Sequence, residues 1–256
     1  MKNSAIKKTC VVLWVVLGAS SVWAAVDREG DQINRSFSLP GKARVEVSTF
    51  SGSVDINAVD GDTAIVQIER TARSRAELDC NRVVLGQASG NLTIQSKNVG
   101  GQGCNNIQVV DRVLLSLPRH VDVSVQGVSG PVNIGEIEGA LRISGNSGSI
   151  NLAQPGSGSR ITGNSGTTTI RLRKLDAGGL ELSGNSGAIK LYVDEGVNLD
   201  VKVSGLSGKA SSELPNVQFQ KTGDADYEAR IGSGGPKINV AGNSGSILLT
   251  SRTTLY

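Results

Sequence analysis

Large aromatic side chains are nearly missing from this sequence. Its 256 residues include three Phe, three Tyr and two Trp, and both Trp (Trp14 and Trp23) lie in the first 24 residues with the single Met, Met1. Beyond that segment six aromatics remain. Proteins that hold single-stranded nucleic acid stack bases on aromatic rings, and small-molecule pockets are usually apolar and aromatic. Both functions are therefore disfavoured. Histidine is as scarce: His120 is the only one, and with Cys80 and Cys104, the two Cys beyond the first 24 residues, it cannot fill a four-ligand zinc site. What the sequence has in excess is glycine, 33 residues or about 13% against an average of about 7%. The glycines follow no three-residue period, which excludes collagen.

The amino terminus carries Lys2, Lys7 and Lys8 and no acid, followed by an apolar run from Cys10 to Gly18 and then by Val22-Trp23-Ala24-Ala25. A basic start, a short apolar core and small residues before a cut site make a secretory signal peptide. The run is shorter than the roughly 20 residues of a membrane span. Residues 1–24 are thus expected to be removed, with cleavage after Ala25 as the near alternative, leaving 25–256 as one domain. Cys10 begins the apolar core and is badly placed for lipid attachment at a new N-terminus. The formal charge of +3 belongs to the three signal lysines, so the mature chain has 23 basic and 23 acidic residues and is neutral. Neutrality gives no electrostatic ground for nucleic-acid binding. Local basic clusters at Arg70, Arg73 and Arg75, and at Arg171, Arg173 and Lys174, read as solvated faces, with contact to an anionic envelope polymer as the lesser reading.

The informative pattern is a repeat. Gly-Asn-Ser-Gly occurs at 145–148, 163–166, 184–187 and 242–245, with variants at 127–130 and 205–208. The last glycines of these turns are 18, 18, 21, 21 and 37 residues apart. A fainter copy, Thr49-Phe50-Ser51-Gly52, lies upstream. Fixed-period self-similarity marks a solenoid. Between the turns, apolar residues recur two apart, as in Leu141 and Ile143, Ile150 and Leu152, or Leu180 and Leu182, which places one strand face inward. One coil cannot bury that face, but stacked coils can. The expected fold is all-β: a single-stranded β-solenoid (parallel β-helix) with coils of 18–21 residues, right-handed by the bias of parallel crossovers. Gly supplies positive φ at the turns, and Asn tolerates it. Asn146, Asn164 and Asn185 are expected to stack and pass amide hydrogen bonds between coils. Val128 and Leu206 break this ladder, and Asn243 resumes it after the long step.

Three-residue additions fit near Lys174–Gly178 and Asp194–Asn198, and residues 211–230 read as an excursion from the solenoid, carrying Phe219 and Tyr227. Upstream, Ser74-Arg75-Ala76-Glu77 has a capping-box pattern that predicts a short helix near 74–81. Residues 26–120 read as the first coils plus an insertion around 70–110, a separate small β domain being the alternative. Cys80 and Cys104 form an even pair in an exported chain, which suggests a disulfide; free thiols or a metal site are the other readings. Such a bond closes a loop worth roughly 3–4 kcal/mol.

Strand-Gly-x-Ser-Gly-strand coils, with Gly-Ser-Gly-Gly-Pro-Lys-Ile-Asn-Val and Gly-Asn-Ser-Gly-Ser-Ile near the end, resemble the bacterial putative-adhesin β-solenoid domain family. The resemblance covers most of the mature chain and is strongest from Val113 to Leu249. It implies an exported, envelope-associated β-helix without assigned chemistry, and it carries over no catalytic residue.

The residues themselves offer little chemistry. His120 follows Pro118-Arg119 and lies beside no Gly-x-Ser-x-Gly elbow, so it reads as a surface or turn residue. Asp55, Asp60 and Asp62 are candidates for a polysaccharide-cleaving site on a β-helix flank, though Asp60-Gly61-Asp62 reads better as a turn. The turns lack the Asp of calcium-binding nonapeptide rolls, and no phosphate loop is present. No catalytic set, metal or cofactor is expected. The function this supports is a non-enzymatic adhesion or scaffold surface for an unknown envelope protein or polysaccharide. A carbohydrate-active enzyme is the alternative. Neither nucleic acid nor membrane integration is expected. After the signal there is no second span, wall-anchoring tail or barrel-sized segment, so the expected location is the Gram-negative periplasm, with secretion or the cell surface second.

Overall fold

A computed structural model describes residues 28–156 and 158–251; the expected signal peptide lies outside them. The N-terminal part contributes β1 (Glu29–Ser38), β2 (Arg44–Ser48), β3 (Gly52–Val59), β4 (Thr63–Ala72), the helix α1 (Arg75–Cys80), β5 (Asn81–Ala88), β6 (Asn91–Asn98) and β7 (Val110–Pro118). The regular repeats are β8 (Asp122–Gln126), β9 (Val132–Glu136), β10 (Leu141–Ser144), β11 (Ile150–Gln154), β12 (Ser159–Thr162), β13 (Thr168–Leu172), β14 (Leu180–Ser183) and β15 (Ile189–Val193). The C-terminal part adds β16 (Leu199–Ser204), β17 (Ala210–Ser212), β18 (Gln220–Lys221), β19 (Tyr227–Ile231), β20 (Lys237–Ala241) and β21 (Ile247–Ser251).

These strands make two facing sheets. The first runs β1-β4-β7-β3-β9-β11-β13-β15-β21-β17 and the second β18-β19-β16-β20-β14-β12-β10-β8-β2-β6-β5. Each coil gives one strand to each sheet and pairs in parallel with the next; Ile150, for example, sits between Val132 and Thr168. The alternate apolar residues of the coil strands point inward, and most buried apolar side chains form one cluster that runs from Leu39 to Leu249, with a small second cluster of Ala72, Leu78 and Val109 beside α1. Each fully buried Val, Leu or Ile contributes about 1.5–3 kcal/mol. The fold is therefore the β-solenoid that the repeat spacing implies.

Its ends depart from a simple stack. The 37-residue step holds two coils whose order in space is reversed. After β14–β15 the chain skips a level to form β16–β17. It then crosses the end of the stack as β18 and β19, with β19 antiparallel to β16. Last, it returns as β20–β21, which lie between β14–β15 and β16–β17. The amino end is built the same way, since β2–β3 lie between β6–β7 and β8–β9. Antiparallel strands close both sheets at the amino end, β5 on β6 and β4 and β1 on β7, and the second sheet at the other end, β19 and β18 on β16, where the first sheet ends on the parallel β17. Ser74 caps α1, its Oγ accepting from the Glu77 N–H at 3.4 Å. The Glu77 carboxylate reaches back to the Arg73 N–H at 3.2 Å.

The two glycines of each turn answer to different constraints. The first takes a left-handed conformation, with φ of +62° at Gly145, +64° at Gly163 and +63° at Gly184. The Asn that follows does not, contrary to the reading that Asn shares this task. In the first coil Thr49 holds the same conformation at φ +62°, an outlier for a β-branched residue. The fourth glycine is fixed by contact instead. A Cβ on Gly166 would lie 2.2 Å from the carbonyl oxygen of Gly148, and one on Gly148 2.1 Å from that of Gly130. No side chain fits there at any φ. Gly166→Ala is therefore expected to lower stability by about 3 kcal/mol or more, as an overpacked interior substitution does. Gly163→Ala, which must only hold a left-handed backbone, should cost about 1–2 kcal/mol. Denaturant melts of the two variants would show the order; equal losses would contradict the contact argument.

Candidate functional site

The residues singled out by sequence fall in three places. Cys80 and Cys104 are joined, 24 residues apart in sequence; the bond ties the end of α1 to the loop before β7. His120 is exposed at a turn, with its Nδ1 2.8 Å from Glu138. The candidate acids are engaged or solvated: Asp55 accepts from Asn133 Nδ2 at 2.6 Å, Asp60 pairs with Arg119 at 2.9 Å, and Asp62 is exposed.

The asparagines form a buried column. Because β20–β21 lie beside β14–β15, Asn243 directly follows Asn185, and Leu206 stands at the outer end rather than in a gap. The four consecutive Asn are fully buried, flanked by Val128 on one side and Leu206 on the other. Hydrogen bonds in the column are local as well as between coils. Asn164 Nδ2 donates to the Gly166 carbonyl at 2.7 Å and to Thr168 Oγ1 at 2.9 Å. Asn146 Nδ2 donates to Asn164 Oδ1 at 3.1 Å, and Asn185 Oδ1 accepts from the Asn164 N–H at 3.1 Å. Both side-chain polar atoms of Asn243 lack a partner. The column is thus a device for holding corners and is closed to solvent.

Arg70 departs from the reading of a solvated basic face. It is buried, with its guanidinium 3.1 Å from Asp31 and 3.6 Å from the fully buried Asp111. It also donates to the Leu78 carbonyl at 2.9 Å and to that of Asn81, at the end of α1. Among the described residues, neither carboxylate oxygen of Asp111 has a hydrogen-bond partner. Burial pushes the Asp111 carboxyl up to about 6 against the pull of Arg70, and the charge of Asp31 adds to the rise. Arg73 stays at the surface, half-exposed and paired with Glu77, whose pKa it lowers chiefly by hydrogen bonding.

The two outward sheet faces carry different sets of groups. On the second sheet, Arg160 pairs with Glu181, Lys202 with Glu228 at 3.5 Å, and Arg230 with Asp200 at 2.9 Å. The hydrogen bond from Arg230, then that from the Gly235 N–H, lowers the Asp200 pKa. A concavity of about 930 Å³ overlies this last group, edged by Asn216, Gln218 and Gln220. Its anions and most of its cations already neutralise one another. On the first sheet, one row across the coils reads Asp55, Asn133, Asn151, Thr169, Lys190. Asn151 Nδ2 donates to Asn133 Oδ1 at 2.8 Å, and Asn133 donates on to Asp55. A second row holds Asn57, Gly135, Ala153, Arg171 and Tyr192. Its two small residues floor a groove of about 280 Å³ that reaches from Asn57 to Arg171. Among the described residues, Arg171 and Lys190 make neither an ion pair nor a side-chain hydrogen bond.

Neither row was singled out by sequence reasoning, although its signal is there. The first row stands three residues, and the second five, after the last glycine of each turn. What sequence cannot show is that Glu136 pairs with Arg173, leaving Arg171 of the same basic cluster free.

A family model described as Toastrack DUF4097 matches residues 32–250. No curated protein matches the chain. Among solved structures, a putative cell adhesion protein of Clostridium sporogenes is 10% identical with a TM-score of 0.46, over 88% of this chain and 100% of that one. A putative adhesin of Bacteroides fragilis is 12% identical with a TM-score of 0.38, over 86% and 97%. Among the described residues no helix is long and apolar enough to cross a membrane.

Two outcomes are expected from the buried polar groups. Asn164→Leu strands the Gly166 carbonyl and the Thr168 hydroxyl and should cost about 1–3 kcal/mol. Asn243→Leu removes an unpartnered amide beside Leu206 and should be neutral or stabilising. Thermal melts that rank the two the other way would contradict this account of the column. For Asp111, the folded state binds a proton more tightly than an unfolded Asp, whose pKa is about 3.9. Its contribution to stability is complete below that value and is lost as pH rises through about 6. Asp111→Asn should therefore gain stability relative to the parent chain between pH 4.5 and 7.5; parallel stability curves across that window would refute the assignment.

Proposed function

The chain belongs to the Toastrack DUF4097 family, and we propose that this member is an exported, non-enzymatic adhesion or scaffold protein of the Gram-negative periplasm. Its working surface in this reading is the outward face of the first sheet. The observation that carries it is the pair of rows described above, in which an amide chain runs from Asn151 to Asp55 and two cations stand free beside it. Each side chain is held on a separate rung of a parallel ladder, so a partner meets groups already fixed in place. Pre-organisation of this kind reduces the entropy lost on binding. Export is supported by the signal-peptide pattern of residues 1–24 and by the disulfide, a bond that persists in oxidising compartments. Passive binding is favoured over hydrolysis because Asp55 and Asp60 are committed to Asn133 and Arg119.

A photo-crosslinking residue placed at Thr169 on the first sheet, and separately at Asn239 on the second, tests this in intact cells. The Thr169 position should give a discrete adduct with an envelope component that mass spectrometry identifies, and the Asn239 position should not. Identical adducts from the two faces, or none from Thr169 at native expression, would count against the reading.

A further inference from the structure

We propose that the first sheet binds an acidic polysaccharide laid along the solenoid axis, with its carboxylates on Arg171 and Lys190 and its hydroxyls on the Asn151–Thr169 end of the amide row. This rests on the reading of that face as the interaction surface and names the ligand class it takes.

The argument begins with charge. Arg171 and Lys190 lie on neighbouring rungs: Arg171 is paired in register with Tyr192, and Lys190 with Thr169. Both are exposed. Several cations of the second sheet and the sheet edge meet carboxylates within the molecule, for instance Arg160 with Glu181 and Arg173 with Glu136; Arg142 on the second sheet stands alone among the described residues, with Ser124 and Arg160 as its register neighbours. Arg171 and Lys190 likewise have no carboxylate partner among the described residues, and they put two unpaired positive charges on adjacent rungs beside the amide row. An Arg guanidinium offers a planar fork that fits a carboxylate, and the Lys ammonium adds a second point charge.

The uncharged groups point to a polyol rather than a lone anion. Each amide in the row donates toward Asp55, first Asn151 to Asn133 and then Asn133 to Asp55. Among the described residues, the polarity of this chain leaves the Asn151 Oδ1 acceptor open at the end nearest Thr169, whose hydroxyl also has no partner there. An open acceptor and an open hydroxyl beside two cations suit a ligand that carries hydroxyls and carboxylates on one ring. Tyr192 stands half-exposed next to Arg171 and gives an apolar ring against which a sugar face can pack. The groove over Gly135 and Ala153 lets an extended chain continue along the rows. Successive rungs are about 4.8 Å apart, so an extended chain laid along the axis meets the groups of one rung after another. Nucleic acid fits less well, because one aromatic and two free cations supply little stacking and little phosphate neutralisation.

The full-length product, purified after export, is titrated calorimetrically with polygalacturonate and with neutral dextran. Binding to polygalacturonate alone is expected, weakening steeply with salt. Arg171→Ala and Lys190→Ala should each weaken it about tenfold or more, the effect of losing a charge-assisted contact. Asn151→Ala leaves the charge unchanged and should weaken it about threefold, whereas Arg142→Ala on the second sheet should have no effect. Thermal melts establish that each variant is folded. Absence of polygalacturonate binding, an equal loss in Arg142→Ala, or full binding by Asn151→Ala each overturns the proposal. If polygalacturonate fails to bind while crosslinks from Thr169 still capture an envelope protein, the ligand class is wrong and the face remains the interaction surface. If both fail, the functional reading falls with it.

Discussion

Backbones of successive coils meet at the turn corners with no room for a side chain between them. The Cα of each fourth turn glycine lies so near the carbonyl of the preceding coil that a Cβ would sit about 2 Å from its oxygen. The corner backbones can approach this far because the residue that faces the neighbouring carbonyl is glycine and puts no Cβ between them. The thin interior follows from the same closeness. Two sheets joined by tight corners leave room for one layer of Val, Leu and Ile from each side, which is why large aromatics are so rare. The opposite corners repeat the device: a Cβ on Gly139 would meet the Val121 carbonyl at 2.1 Å, and one on Gly156 the Gly139 carbonyl at 2.1 Å.

The column of buried asparagines solves a problem that this closeness creates. A corner turned so sharply leaves carbonyls inside that no strand partner reaches, and an Asn amide can reach the one two residues ahead. Where neighbouring coils are regular, Asn occupies the position. Toward the ends Val128, Phe50 and Leu206 take it and close the corner with apolar contact. Asn243 is intermediate, present in the repeat and without a partner for its amide, since its far neighbour is already Leu206. The buried Asp111 marks another end effect. It pairs in register with Gly52, above the column of fourth glycines, where the repeat gives way to the cap of β1, β4 and α1. There Arg70 meets its charge in part.

Fold and corner chemistry were legible because they repeat. Spacings of 18 and 21 residues, alternating apolar residues and phased glycines all restate one local rule, and a rule restated six times is readable from a single chain. The surface rows were within reach of the same counting, three and five residues after each turn. Their significance was hidden because it depends on which cations find partners. Nothing local distinguishes Arg171 from Arg173; the difference is that Glu136, two coils earlier, lies beside one of them. Arg70 was misjudged for a related reason. Its burial depends on β1 and β7 pairing on either side of β4, a long-range arrangement with no periodic trace. The order of the last coils was illegible too, since equal repeats are interchangeable as neighbours and sequence order alone suggested that β16–β17 would stack next.

That order gives the molecule an interleaved construction. Neither β2–β3 nor β20–β21 is the outermost coil at its end, so each terminal coil is gripped on both sides by parallel ladders. Withdrawing either means breaking pairing along two edges at once, in both sheets. A solenoid that ended on its terminal coils could fray one rung at a time, each loss exposing the next. Here the outermost coils are internal stretches of chain that cannot leave without their flanking segments, and the first and last coils, β2–β3 and β20–β21, are clamped; at the chain ends only the edge strand β1 is held along a single side. The same feature delays assembly. The rung at the amino end lacks its outer neighbour until β6 and β7 have been placed. At the other end β16–β17 lack an inward partner until the last strands enter, so the stack does not complete in order of synthesis. Long-range closure of this kind slows folding, and a barrier that must be crossed in both directions slows unfolding as well, giving persistence by rate rather than by depth of the energy well.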